Sequence, residues 1–215
     1  MTDSSNFTVQ EDLMRWTHST ISLAIGVTCL AARLAFAQSL DDLRKQFDAG
    51  QYQQVISSGH GDDPRVAYLV AMSHQKLRHT DEARRAYEQL GARPDSDPWS
   101  GIGRSAAAIL SSDAGAAVQA ADQAVANGDS LPEAHYQRGL ALSARQDMNG
   151  AAAAFQKATD LDPGWAYAHY YAGIAYSKIK RADLTASHFQ TFLKIAPQAP
   201  ERGEVQSILR TLGGD

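Results

Sequence analysis

The sequence predicts an all-α fold, a solenoid of antiparallel helix hairpins finished by a C-terminal capping helix. Three observations lead there. Residues recur at a fixed step of 34. Each copy holds two apolar runs of helical length, parted by a polar break. The final stretch carries one apolar helix stripe, as a cover for the last module requires.

The step shows in several independent series. Ala83, Ala117 and Ala151 keep it, with Thr185 next; Tyr87, Ala121, Phe155 and Phe189 keep it, as do Leu90, Ala124, Ala158 and Phe192. Gly139 and Gly173, His135 and His169, and Pro163 and Pro197 are matched pairs at the same step. In one copy an apolar run from Pro132 to Leu142 is broken at Gln146-Asp147-Met148-Asn149-Gly150, resumes from Ala151 to Leu161, and stops at Asp162-Pro163. Proline lacks the backbone N–H and disfavours helix in the residue before it. The next copy runs from Ala166 to Lys178, breaks near Lys180-Arg181-Ala182-Asp183, and resumes from Leu184 to Ile195.

Ahead of the repeats, residues 1–37 read as a leader and secretory signal. Arg15 is followed by an apolar stretch from Ile21 to Ala32, then Ala35-Phe36-Ala37 before Gln38. A basic start, a short apolar middle and an A-x-A end are the parts of an export signal. The apolar middle falls short of the ~20 residues of a membrane-spanning helix. Cleavage between Ala37 and Gln38 and a periplasmic or secreted location are therefore expected; the alternative is an anchor over residues 16–37. Asp3, Glu11 and Asp12 suit the start of a signal badly, so translation is expected from Met14. Thr28 and Gly26 fit poorly with a lipid anchor on Cys29. Residues 38–63 form a shorter, degenerate hairpin with Leu40, Leu43, Phe47, Tyr52, Val55 and Ile56 as its apolar points. Residues 198–215 hold the capping helix, with Val205, Ile208, Leu209 and Leu212 on one stripe and Pro200 in its first turn.

Composition narrows the function. Acidic residues number 24 and basic ones 20, for a net charge of −4. A nucleic-acid-binding protein normally carries a basic stripe, so that class is set aside. One cysteine excludes an internal disulfide framework, and one apolar stretch excludes a multi-span membrane protein. No HExxH, P-loop or G-x-S-x-G motif is present. Gly101-Ile102-Gly103 lacks the strand and third glycine of a dinucleotide site. His74 and His79 are five apart and do not share a helix face. His60-Gly61-Asp62-Asp63 reads as a turn. No enzyme, metal or cofactor is expected.

The repeated residues resemble the tetratricopeptide repeat (TPR) family, whose 34-residue unit is a helix pair with the pattern W-x2-L-G-x2-Y, A-x3-F-x2-A and P. Gly139, Leu142, Ala151, Phe155, Ala158 and Pro163 carry the match in one copy, and Gly173, Tyr176, Phe189 and Pro197 in the last. Val70-Ala71, Ala83, Tyr87 and Leu90 carry it in the first. In the second, Trp99-x2-Ile102-Gly103-x2-Ala106 fits the opening; the step from Gly103 to Gly139 is 36, which predicts about two extra residues between them. Four repeats are placed at about 64–94, 97–128, 132–163 and 166–197. His135 and His169 stand where the family usually has Trp, and are read as packing residues.

The resemblance implies a right-handed superhelix whose concave groove is lined by the first helix of each repeat. It points to Tyr68, Met72, Arg104, Tyr136, Leu140, Tyr167, Tyr170, Ile174 and Lys178 as groove residues. It implies a non-enzymatic adaptor or scaffold holding a protein or peptide segment; the expected export, through its compartment, adds cell-envelope assembly as the setting. The alternative is a solenoid that binds a small molecule or lipid. A carboxylate clamp is set aside, because Tyr136 with Leu140 and Tyr170 with Ile174 replace its basic residue and Asn. Membrane contact is expected only through the N-terminal signal, and an uncovered end would allow self-association.

Overall fold

The computed structural model describes residues 38–214, and the described chain from Ser39 on forms one compact unit. Met14, Ala35 and Ala37, with the leader, signal and cleavage expectations, lie outside the described residues; Gln38 is exposed. Among the described residues every regular element is an α-helix. The first hairpin is α1 (Leu40–Asp48) and α2 (Tyr52–Ser58). Four repeats follow: α3 (Pro64–Lys76) with α4 (Thr80–Gly91), α5 (Pro98–Leu110) with α6 (Ala114–Asn127), α7 (Pro132–Ala144) with α8 (Met148–Leu161), and α9 (Ala166–Lys178) with α10 (Ala182–Ile195). α11 (Arg202–Gly213) ends the array.

Local chemistry explains the boundaries. Asp63 and Asp97 accept hydrogen bonds from Arg65 N and Trp99 N, and Pro64 and Pro98 occupy the first helical position. Asp113 and Asp147 cap α6 and α8 in the same manner. Each first helix ends on a residue in the left-handed region: Arg78, Ser112, Gln146 and Lys180, with φ between 60° and 66°. These four are spaced by 34, as are the first-helix starts at residues 64, 98, 132 and 166. The two extra residues expected between the second and third repeats are therefore absent. Gly103 is not the counterpart of Gly139; Ser105 is, and it is fully buried.

The 34-step series make the core. Ala83, Ala117, Ala151 and Thr185 are fully buried, and so are Ala121, Phe155 and Phe189, with Tyr87 nearly so. Within a hairpin the glycine and the ring fit each other. A Cβ on Gly139 would stand 2.6 Å from the Phe155 ring, and one on Gly173 the same distance from Phe189. In the second repeat Ala121 and Ala124 replace large side chains, and the backbones close up instead. A Cβ on Gly101 would lie 2.6 Å from Ala120 O, and one on Gly103 would run into the α4 backbone at Tyr87 and Gly91. Each second helix also packs on the first helix of the next repeat, so no hairpin buries its faces alone.

The ends are treated differently. α1 and α2 stack on α3, burying Leu43, Phe47, Tyr52 and Val55. Their turn passes through Gly50 at φ +76°, where a Cβ would collide with Pro200. α11 packs on α10 through fully buried Val205, with Ile208 and Leu209 half-buried. The expected stripe is one residue too long, because Leu212 lies 40% exposed. Among the described residues no helix is long and apolar enough to cross a membrane.

Candidate functional site

Counting from Pro64 with a strict step of 34 fixes the inner wall. The fifth residues are Tyr68, Ile102, Tyr136 and Tyr170; the ninth are Met72, Ala106, Leu140 and Ile174. The twelfth begin with Gln75 and Ile109. Positions five, nine and twelve share one helical stripe. A pocket of about 340 Å³ opens on this stripe, walled by Tyr68, Met72, Ala106, Ile109, Tyr136, Leu140 and Tyr171. Gln75, Lys76, Arg78, Tyr87 and Gln137 add polar groups.

Of the nine groove residues expected from sequence, the pocket brings together Tyr68, Met72, Tyr136 and Leu140. The other five lie elsewhere. Arg104 shares its place in the repeat with Arg138. Arg104 binds Asp95 at 2.8 Å and Gln123, and Arg138 binds Asp122 at 2.6 Å. Arg104 reaches the loop before α5 and its own partner helix α6, and Arg138 reaches α6 of the preceding hairpin; neither lines the pocket, so the two-residue register error brings Arg104 into the expected groove. Ala106 and Ile109 are the pocket residues of α5. Tyr167 is fully buried, and Tyr170 packs between Phe189 and Phe192. Ile174 is half-buried against the core, and Lys178 is exposed outside the pocket.

Two of the pocket's hydroxyls are committed. Tyr68 donates to Gln137 Oε1 at 2.7 Å, Gln137 Nε2 donates to Ser105 at 3.1 Å, and Tyr87 donates to Gln75 Oε1 at 2.8 Å. Burial pushes the Tyr68, Tyr87 and Tyr136 phenols far above the ordinary range, so all three stay neutral. Their rings form part of the pocket wall. The arrangement can hold an apolar group against aromatic faces, with Lys76 and Arg78 as the positive groups among the lining.

Models of the tetratricopeptide repeat match residues 65–96 and 132–165. The chain carries tetratricopeptide repeats at these two places. No curated protein sequence matches it. Its fold is similar to that of a thermophilic TPR protein from Thermus thermophilus (19% identity, TM-score 0.59), over 79% of this chain and 96% of that one. It is also similar to the TPR domain of Arabidopsis OM64 (18% identity, TM-score 0.52), over 55% and 98% of the two chains. A third likeness is to the APC/C hetero-tetramer Cut9–Hcn1 (17% identity, TM-score 0.54), over 69% of this chain and 29% of that one.

In this TPR array the histidines at the position usual for Trp pack and bond to a loop. His135 Nε2 donates to Asp129 O at 2.8 Å and His169 Nε2 to Pro163 O at 3.2 Å, each six residues upstream. His169 and His188 meet through their Nδ1 atoms at 3.0 Å, and burial, with His169 alongside, pushes the His188 imidazole down to about 4. No group of three His, Cys, Asp or Glu side chains comes together among the described residues.

What sequence reasoning missed is that the first hairpin reaches across the inner side of this TPR array to the third and fourth repeats, and the segment before α11 reaches back to α3. Arg44 of α1 binds Asp162 at 2.9 Å and Glu133 at 3.0 Å, with its guanidinium over Trp165. The Phe47 ring stands edge-on to Tyr167, and the Tyr52 and Tyr167 hydroxyls are 3.1 Å apart. Lys76 binds Glu201 at 2.7 Å over the face of Tyr167, whose hydroxyl donates to the other Glu201 oxygen at 2.8 Å. Apart from Tyr167 and Glu201, which are 34 apart, these partners are separated by 89 to 125 residues and leave no local pattern to read.

Proposed function

We propose that the chain is an exported, non-enzymatic adaptor that holds an apolar-anchored peptide segment of another protein in the pocket between α3, α5 and α7, in cell-envelope assembly. The observation that supports this reading is the pocket itself. Three consecutive modules contribute one aligned stripe, and the Tyr68 and Tyr87 hydroxyls are tied to neighbouring side chains. Pockets of a few hundred Å³ with apolar walls and a few polar groups are the usual form of a binding site. The export part rests on the A-x-A end of the leader sequence.

The test is affinity capture from a native envelope fraction with the full chain and two pocket variants, Ile109→Glu and Leu140→Glu. Both side chains are half-buried in the wall, so a charge spoils the surface with limited damage to the core. Capture of a polypeptide that both variants lose, at unchanged helix content, is the expected result. A partner retained by both would refute the reading. Native mass spectrometry that finds only a co-purified small molecule or lipid would favour the other ligand class.

A further inference from the structure

The polar groups around the pocket are unevenly spent. Its amide oxygens are taken: Gln137 Oε1 accepts from Tyr68, and Gln75 Oε1 accepts from Tyr87. The Gln137 amide nitrogen is taken too, donating to Ser105. What remains is the Arg78 guanidinium and the Gln75 amide nitrogen, which can only donate, and the Tyr136 hydroxyl. Tyr136 is 1% exposed, and its hydroxyl has no hydrogen-bond partner among the described residues. A phenol buried to this degree ordinarily finds one. Phe155, Trp165 and Tyr171 enclose the ring, which leaves the pocket as the side from which a partner can arrive. Charge is uneven in the same sense. Among the described residues no carboxylate lines the pocket, whereas Lys76 and Arg78 do. Glu201 binds Lys76 with one oxygen and spends the other on Tyr167. Arg78 is exposed in the turn after α3, and its guanidinium has neither an ion pair nor a hydrogen bond among the described residues.

We infer that the segment held in this pocket is acidic: a bulky apolar side chain packs on Met72, Ile109 and Leu140, an Asp or Glu side chain beside it pairs with Arg78, and an acceptor of the segment takes the Tyr136 hydroxyl. The inference deepens the reading of the pocket as a peptide site and rests on it. An uncharged or basic segment would cover Arg78 and Tyr136 without satisfying either, and that difference is what selects. With Tyr136 and Leu140 in place of a basic residue and Asn, the carboxylate recognised belongs to a side chain and not to a chain terminus. The whole chain carries a net charge of −4, so the preference comes from local pairing and not from long-range attraction.

A peptide selection tests this. Random peptides displayed at the N-terminus of a phage coat protein, which leaves them no free C-terminal carboxylate, are selected on the immobilised full chain and counter-selected on Leu140→Glu. The retained sequences are expected to carry a bulky apolar residue beside Asp or Glu. A synthetic, C-terminally amidated copy should bind Arg78→Gly and Tyr136→Phe several-fold more weakly. Glycine suits the φ of 60° at this turn, so Arg78→Gly removes the charge and keeps the backbone. Replacing the peptide's acid by its amide should weaken binding to the unaltered chain several-fold and to Arg78→Gly no further. Arg78→Glu should shift the selected residue to Lys or Arg. Sequences that depend on Leu140 but show no acidic bias, or whose binding ignores Arg78, overturn the acidic segment and leave the pocket reading standing. No sequence preferring the unaltered chain over Leu140→Glu refutes the pocket reading and this inference with it.

Discussion

At the residue scale, close packing sets the tolerance of the fold. Gly139 and Gly103 both lie in first helices, where alanine is favoured by ~1 kcal/mol on propensity alone. At Gly139 the new methyl meets the Phe155 ring at 2.6 Å, and a ring can tilt. At Gly103 it meets the backbone of α4, which cannot move without shifting a helix. Gly139→Ala is therefore expected to cost about 1–2 kcal/mol net, and Gly103→Ala more, since overpacking costs ~1–3 kcal/mol even where the neighbours yield. Urea unfolding of the two variants checks the order. Equal costs would show that α4 and α5 are not in backbone contact. The same scale shows where residue chemistry misled. Tyrosines on a groove stripe read as binding groups, yet Tyr167 and Tyr170 spend their rings on Phe47, Phe189 and Phe192.

At the scale of the element, the turn between the helices of each repeat is the least optimised part. Arg78, Ser112, Gln146 and Lys180 all adopt φ near 60°, a conformation that costs a residue with a Cβ ~1–2 kcal/mol. Glycine accepts it freely but loses more entropy on folding. Gln146→Gly and Lys180→Gly are each expected to stabilise the chain by up to about 1 kcal/mol, raising the melting temperature, and their effects should add. Arg78 is less suitable because it lines the pocket. These four turns also explain what could be read in advance. The helices, their order and the 34-residue step were legible because alanines and rings recur at core positions. The register of the second repeat was not. It has Ser105 where the third and fourth repeats have glycine, while Gly101 and Gly103 supply misleading ones four and two residues earlier. That slip carried Arg104 into the expected groove and left out Ala106 and Ile109.

At the scale of the molecule, the first hairpin reaches across the inner side of the array, and the charge at that contact makes it sensitive to pH. Burial pushes the Asp48 carboxyl up to about 7; Arg44 opposes this, while Asp162 and Glu201 add to it. Glu133 is raised by burial as well, and Asp41 and Lys45 line the same cleft. A carboxyl raised in the folded state binds its proton more tightly there than in the unfolded chain. Its contribution to stability is full below the unfolded value and is lost as pH rises through about 7. That contact should therefore be tighter at about pH 6 than at about pH 8.5. Hydrogen exchange in α1 and α2 is expected to quicken over that interval beyond the intrinsic base-catalysed rise. Asp48→Asn should flatten the excess, and an excess that survives it would assign the effect to another group.

None of the ties across that contact was visible in the sequence. Arg44, Tyr52 and Glu201 have no repeat counterparts that signal a role, and their partners become neighbours only once the superhelix curves. The inner wall was half legible, because the stripe rule gave Tyr68, Met72, Tyr136 and Leu140 correctly as neighbours while the curvature decided which of the rest stayed open.

Site-specific photo-crosslinking shows whether a partner is held on the inner wall. Benzoylphenylalanine at Ile109 or Leu140 probes the pocket, and at Gln119 or Lys157 it probes exposed positions on second helices. The account predicts a discrete adduct from the two pocket positions and none from the outer pair. Adducts from the outer pair alone, with the pocket positions silent, would contradict it.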